Sequence, residues 1–315
     1  MIHPNREDSG RMNLQYRQLG TTGLQVSSIG LGCVTFGREI DEETSLAVLD
    51  QALGRGINLL DTAAVYGEGA SEEILGRWMR LRSNRDHVVL ATKVSGRLTS
   101  DLVVASVEAS LKRLATDRID LLQAHGWDEE TPLEETLQAF DSLVRRGLVQ
   151  FCGCSNWNVT QLERAHSIAA EQGWIPLQSI QPIYNLVDRN IEEGLLEFCS
   201  ARNIGVLTYS PLGAGFLTGK YRRDGAVPVG TRFDVKPAHQ GIYFTEQGFC
   251  AMESLRSLAD ESGEPMARLA LAWVLRRDAI TSVLVGARTP LHVDQAFGAL
   301  ETAHSPRLQG LLDRL

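Results

Sequence analysis

Two hydrophobic patterns alternate along this chain. Short apolar runs occur at Ile29–Gly32, Ile57–Leu60, Val88–Ala91, Asp120–Gln123, Phe151–Cys154, Ser179–Gln181, Gly205–Thr208 and Thr281–Val285. Their length and their polar or small end residues suit buried strands. Between them the apolar period lengthens to that of a helix, over Glu42–Ala52, Ser71–Leu81, Leu102–Leu114, Leu133–Val144, Thr160–Gln172, Ile191–Ala201, Met266–Leu275 and Leu291–Leu300. Leu133, Leu137, Phe140 and Val144 show the i, i+4, i+7 spacing that puts one apolar stripe on a helix. Thr131-Pro132 opens that helix and Gly147 closes it, and Gly173 and Gly205 are expected to close two others. Ahead of the first unit, Tyr16–Leu19 and Leu24–Ser28 flank Gly20 and Gly23 and predict a β-hairpin.

Regular strand–helix alternation without a composition break predicts an α/β chain, a closed (β/α)8 TIM barrel with the N-terminal hairpin and extra helices and loops. Residues 16–315 are expected to form this single barrel, and residues 1–15 a flexible N-terminal segment. Two insertions interrupt the period. One is the stretch Leu212–Gly248, rich in glycine and polar residues, and the other is an extra helix over Gln247–Glu261.

Composition narrows the function. Hydrophobic residues make up 43% of the chain and charged residues 22%, enough for a large core and against wholesale disorder. Lys and Arg number 31 against 39 Asp and Glu, a net charge of −8 that argues against a nucleic-acid partner. The apolar stretch Leu269–Leu275 is too short to span a bilayer, and Met1–Asn13 lacks the apolar run of a secretory signal. Cys33, Cys152, Cys154, Cys199 and Cys250 are odd in number and lack metal-ligand spacing, so reduced thiols in a cytoplasmic protein without a bound metal are expected.

A barrel of this kind carries its active site at the C-terminal ends of its strands. The residues that follow successive runs are Asp61 and Tyr66, Lys93, His125, Ser155 and Asn156, Gln181, Tyr209 and Ser210, then Gly286 and Arg288. Any one of them reads as an ordinary polar strand end. Their succession around one rim does not. Asp61, Tyr66, Lys93 and His125 come from neighbouring strands and can converge. An ammonium beside a phenol favours the phenolate, so Lys93 is expected to lower the Tyr66 pKa from its usual value of about 10. A proton donor acting on a carbonyl oxygen needs a separate source of hydride for the carbon, and a nicotinamide cofactor meets that need.

The segments Asp61-Thr62-Ala63-Ala64-Val65-Tyr66-Gly67, Ala91-Thr92-Lys93, Gln123-Ala124-His125 and Gly153-Cys154-Ser155-Asn156-Trp157 resemble the aldo-keto reductase family. So do Tyr209-Ser210-Pro211-Leu212, Thr218-Gly219-Lys220-Tyr221 and Val285-Gly286-Ala287-Arg288-Thr289. The resemblance runs from about Tyr16 to Leu300. It implies that Tyr66 is the proton donor, that Lys93 and Asp61 tune it, and that His125 orients the carbonyl. It implies a cofactor site in which Ser155, Asn156 and Gln181 hold the nicotinamide carboxamide and Tyr209 stacks on its ring. Ser210, Pro211, Leu212, Gly215 and Lys220 would wrap the pyrophosphate, with Arg232 closing over it. Gly286, Arg288 and Thr289 would take the 2′-phosphate, which points to NADP(H), and the implied cofactor set also includes Cys33, His292 and Gln295. Many members carry Gln, Glu and Asn where this chain has His292, Gln295 and Ala296, and an alanine cannot hydrogen-bond an adenine.

The resemblance thus implies an NADP-dependent oxidoreductase acting on a small carbonyl or alcohol. Two alternatives stand beside it: an oxidation-biased sugar or alcohol dehydrogenase or epimerase, and a cofactor-sensing subunit resembling potassium-channel β subunits. The latter carry Asn where this chain has His125. Substrate walls are expected from Val34, Phe36, Trp127, Trp157 and Thr231–Thr245. Gly30-Leu31-Gly32 fails as a dinucleotide fingerprint because Thr35 replaces its third glycine. Asp128-Glu129-Glu130 suggests paired carboxylates, but it sits just before a helix start, where acidic side chains favour the dipole.

Overall fold

The computed structural model describes residues 14–315. Its hairpin is β1 (Tyr16–Gln18) and β2 (Gln25–Ser27), antiparallel with Arg17 opposite Val26. The barrel follows as β3 (Ile29–Gly32), α1 (Glu42–Gly54), β4 (Leu59–Asp61), α2 (Ala70–Arg82), β5 (Val89–Val94), α3 (Ser100–Leu114), β6 (Ile119–Ala124), α4 (Leu133–Arg145), β7 (Val149–Ser155), α5 (Val159–Gln172), β8 (Ser179–Gln181), α6 (Leu195–Arg202) and β9 (Gly205–Thr208). The insertion holds α7 (Arg232–Val235), α8 (Gln240–Tyr243) and α9 (Glu246–Ser262). Then come α10 (Met266–Leu275), β10 (Ser282–Gly286), α11 (Pro290–Ala303) and α12 (Pro306–Leu312). Strands β3 to β10 are all parallel, and β10 pairs with both β3 and β9, so the sheet closes as the expected (β/α)8 barrel.

Alternation along the strands sorts the barrel interior into two layers, because successive side chains face opposite sides of a sheet. Leu59, Ala91, Leu121, Leu207 and Leu284 pack together low in the barrel, and Leu19 and Val26 of the hairpin join them as a plug. Two residues further along three of these strands stand Asp61, Lys93 and Gln123. The interior thus changes from an apolar floor to a polar layer in a single step of the repeat. A second and larger apolar layer fills the space between the outer faces of the strands and the helices.

Local signals account for most boundaries. Asn158, part of an Asn-Val-Thr sequence, is the N-cap of α5 and forms a capping box with Gln161. Gly173 ends that helix in the left-handed conformation, as expected. Gly205 does not close a helix. Asn203 ends α6 with φ 52°, and Gly205 opens β9, where a Cβ would come within 2.5 Å of the Leu19 side chain. The plug, and not the helix, requires that glycine. The helix expected over Ile191–Ala201 is divided by Gly194 at φ 88° into a 3-10 turn, Asn190–Glu192, and α6.

The insertion differs most from its sequence pattern. Its glycines and polar residues surround a buried aromatic cluster. Phe216, at the centre, packs edge-on or stacked against Tyr221, Phe233, Tyr243, Phe244 and Phe249. These residues are far apart in sequence, so no short window displays them as a core. Residues 1–13 of the expected flexible segment lie outside the described residues. Gln15 already accepts a hydrogen bond from the Ser28 amide. No helix among the described residues is long and apolar enough to cross a membrane.

Phe216→Ala should destabilise the fold by about 3–5 kcal/mol, the usual cost of emptying a buried aromatic site. Urea denaturation followed by fluorescence measures this, and a loss under 1 kcal/mol would remove the cluster as the anchor of the insertion.

Candidate active site

The polar layer is built around a charge that has no access to water. Lys93 is fully buried. Its Nζ donates to Asp61 Oδ2 at 2.5 Å, to the Thr62 carbonyl at 2.8 Å and to the Tyr66 hydroxyl at 3.4 Å. Asp61 Oδ1 accepts from Gln181 Nε2 at 2.7 Å and from Gln123 Nε2 at 3.2 Å, and Gln181 Nε2 also donates to Gln123 Oε1. Each oxygen of the carboxylate is therefore engaged, which is the condition for keeping an ion pair inside a protein.

Tyr66 stands on the loop after β4, in a 3-10 turn where Gly67 and Glu68 both take positive φ. Burial raises its phenol above the ordinary value. Lys93 pulls it down and Asp61 pushes it up, and the net direction is upward. This corrects the expected lowering. The Lys93 ammonium is given first to Asp61 and Thr62, and its 3.4 Å contact with the phenol does not outweigh the loss of water. For Lys93 itself, burial opposes the charge, but Asp61 and Tyr66 outweigh it and raise the ammonium pKa. Tyr66 is thus a neutral phenol, and Lys93 a cation, across the physiological range.

His125 follows β6, with its ring edge-on to Tyr66 at 5.7 Å between centroids. Burial and then the Lys93 charge lower its pKa to about 4, so the imidazole is neutral near pH 7. Its Nδ1 is hydrogen-bonded to Ser95 Oγ at 2.8 Å.

The rim beyond this centre is also pre-arranged. Ser155 Oγ donates to the Gln181 carbonyl, Asn156 Nδ2 donates to Ser155 Oγ and to the His125 carbonyl, and the Tyr209 hydroxyl donates to Asn156 Oδ1. Asn156 and Ser210 hold positive φ values of 60° and 54°. Such conformations cost free energy in non-glycine residues and cluster at functional sites. Ser210, Pro211 and Leu212 lead into the turn Gly213–Thr218, where Gly215 at φ 90° lies beside the Lys220 ammonium. Arg288, Thr289 and His292 group at the start of α11: Thr289 Oγ1 bonds His292 Nδ1, while burial and the Arg288 charge lower the His292 pKa. Lys220 and Arg288 are exposed, and neither is ion-paired with a carboxylate among the described residues. Lys220, beside a turn of left-handed backbone, and Arg288, just before α11, are cations suited to the phosphates of a cofactor.

Other expected site residues fall differently. Cys33 is fully buried, so its thiol presents no surface to a ligand, and its backbone amide donates to the Asp61 carbonyl while its carbonyl accepts from the Ser71 hydroxyl. Arg232 reaches across to Glu39 Oε1 at 3.3 Å and links the insertion to the loop after β3. Gln295 and Gly286 are exposed on the rim, whereas Ala296 is buried and packs against the barrel, so it does not face an adenine. Of the expected walls, Phe36 and Trp157 are buried, as are Phe233 and Tyr243 within Thr231–Thr245, whereas Val34, Trp127 and the rest of that stretch are accessible, Trp127 standing edge-on to Trp157 at 4.9 Å. Asp128 ties its own loop to the Leu98 and Glu130 amides and is structural.

Gln123 and Ser95 were not singled out in the sequence. Strand alternation carries the signal: Gln123 lies two before His125, and Ser95 two after Lys93, so each follows the side of the chain on which an expected site residue stands.

Fold and site together define a parallel barrel with a tyrosine, lysine, aspartate and histidine at its mouth and a phosphate-suited rim beside them. A family model described as the Aldo/keto reductase family matches residues 28–310. The chain is 34% identical over 319 aligned positions to an uncharacterised oxidoreductase, YrpG, of Bacillus subtilis (strain 168), covering 95% of each protein. It is 32% and 33% identical to probable voltage-gated potassium channel β subunits of Arabidopsis thaliana and Oryza sativa subsp. japonica, covering 91% of this chain and 92% of each relative. The chain belongs to the aldo/keto reductase family, and with it to the NAD(P)-dependent oxidoreductases.

Lys93→Met should cost about 3–5 kcal/mol of stability, since it leaves Asp61 buried beside no cation. It should also move the alkaline limb of any Tyr66-dependent rate to higher pH, because the one group that lowers the phenol pKa is gone. A parent-like denaturation midpoint together with an unchanged pH–rate profile would remove Lys93 from this role.

Proposed function

We propose that the protein is an NADP-dependent carbonyl reductase that acts on an aldehyde, ketone or keto-sugar, with Tyr66 as proton donor. The observation that carries this reading is the buried Lys93 ammonium, 2.5 Å from Asp61 and 3.4 Å from the Tyr66 hydroxyl, beside a neutral imidazole. When bound, the cofactor supplies hydride to the carbonyl carbon. Tyr66 delivers its proton to the carbonyl oxygen as negative charge develops there, and Lys93 stabilises the phenolate left behind. His125, uncharged, offers a hydrogen bond to the same oxygen. A phenol is protonated at neutral pH, so Tyr66 can enter the reduction as the acid, and Lys93 opposes the rise in its pKa that burial causes.

Tyr209, Asn156, Ser155 and Gln181 would hold the nicotinamide end, and Ser210 to Gly215 with Lys220 the pyrophosphate. Arg288 and Thr289, at the start of α11, would take the 2′-phosphate, with His292 and Gln295 at the adenine end. Arg232 would leave Glu39 to close over the phosphates. A cytoplasmic location and a small-molecule substrate go with this reading. The names of the plant relatives raise a second reading, a cofactor-sensing subunit. His125 beside Tyr66 favours turnover instead, and consumption of NADPH with a panel of carbonyl compounds separates the two.

Tyr66→Phe should lower turnover about 10²- to 10⁴-fold, the range for a lost general acid, while cofactor affinity stays within about twofold. Turnover within threefold of the parent would remove Tyr66 as proton donor. Arg288→Ala should bring NADP and NAD close to parity. A charge-assisted bond contributes about 1.5–3 kcal/mol, so the parent should prefer NADP roughly 10- to 150-fold. Dissociation constants from tryptophan-fluorescence quenching test this, and an unchanged ratio in the variant would exclude Arg288 as the discriminating residue.

A further inference from the structure

A neutral imidazole has one N–H and one lone pair. A carbonyl oxygen can only accept, so His125 helps it only if the ring nitrogen facing it carries the proton. Nδ1 of His125 is occupied by Ser95 Oγ at 2.8 Å, and Nε2 has no hydrogen-bond partner among the described residues. The backbone holds the pair in place, since the His125 amide donates to the Val94 carbonyl, immediately before Ser95. A serine hydroxyl can donate or accept, and its rotation is free. If it accepted from Nδ1–H, a bare Nε2 lone pair would face the lone pairs of the substrate oxygen and repel it. If it donates to Nδ1, the proton lies on Nε2, and the ring becomes a second donor beside the Tyr66 hydroxyl.

We propose that Ser95 is a positioning residue: its hydroxyl donates to Nδ1 of His125 and so keeps the imidazole proton on Nε2, where a substrate oxygen can accept it. The direction of the Ser95–His125 bond is inferred from the carbonyl-reductase reading, whereas the position of the proton can be measured without it. Ser95 is exposed at the rim, outside the buried Lys93–Asp61 network, so its replacement leaves the packing of the barrel in place.

Nitrogen NMR of the histidine-labelled protein, with His125 assigned by difference against His125→Asn, shows which ring nitrogen is protonated at neutral pH without cofactor or substrate. The expected result is a proton on Nε2 and an Nδ1 resonance displaced by hydrogen bonding. Ser95→Ala should return the Nδ1 resonance to that of a solvated ring, and Ser95→Thr should retain the parent value. In the reductase assay, Ser95→Ala should lower kcat/KM roughly 3- to 10-fold, the range for one net hydrogen bond. Ser95→Thr should restore it to within about twofold, and cofactor affinity should not change. A proton on Nδ1 in the parent, or an Nδ1 resonance that Ser95→Ala leaves unmoved, overturns the proposal. So does a kcat/KM in Ser95→Ala within twofold of the parent. If no carbonyl compound is reduced by the parent, the reductase reading fails alone, and the NMR result still decides the placement of the proton.

Discussion

A lysine ammonium fully enclosed by protein is the constraint around which this barrel is organised. Removing such a charge from water costs several kcal/mol, and only close partners with good geometry offset it. Lys93 has them in Asp61, the Thr62 carbonyl and Tyr66. Asp61 then needs its second oxygen satisfied, and Gln181 and Gln123 supply that from two further strands. One buried charge thereby ties β4, β5, β6 and β8 together at the level where the apolar floor ends. The site is polar because the charge must be paired, and it is rigid because each partner is itself fixed.

That arrangement also sets the acid–base chemistry. Burial acts on Tyr66 and on His125 in opposite directions on the pKa scale but with one result, the uncharged form of each. Of the three, only Lys93 carries charge, held as an ammonium by the Asp61 carboxylate it is paired with. Two neutral donors beside one fixed cation suit a reaction in which negative charge develops on an oxygen and must be met without reorganisation. The same constraint reverses the sequence expectation for Tyr66, because the loss of water outweighs the nearby cation.

Around the centre, strain and cohesion are kept on different elements. Asn156 and Ser210 hold left-handed backbone at the strand ends, where the closed sheet below fixes both flanks. The long insertion, by contrast, carries its own aromatic core and a charged link, Arg232 to Glu39, to the loop after β3. A segment with its own apolar core can keep its internal structure while its attachment to the barrel changes. The stacked strands cannot, since a shift of one residue would turn every inward side chain outward.

The sequence by itself determined the strand–helix alternation and hence the barrel, because periodicity depends only on which positions are apolar. It also determined which residues stand at the strand ends, and so brought Asp61, Tyr66, Lys93 and His125 to one rim. Tertiary structure alone decided how those residues share hydrogen bonds and how much water reaches them, since both depend on neighbours from other strands. Burial of Cys33, Phe36, Trp157 and Ala296 is of this kind, for a cysteine, an alanine or an aromatic suits a core and a pocket wall equally well. So is the aromatic cluster around Phe216, whose members lie too far apart in the chain for any local window to join them. Gly205 shows the same division: the sequence marks a glycine, and only the tertiary structure shows the Leu19 side chain and Gly20 amide that crowd the place of a Cβ.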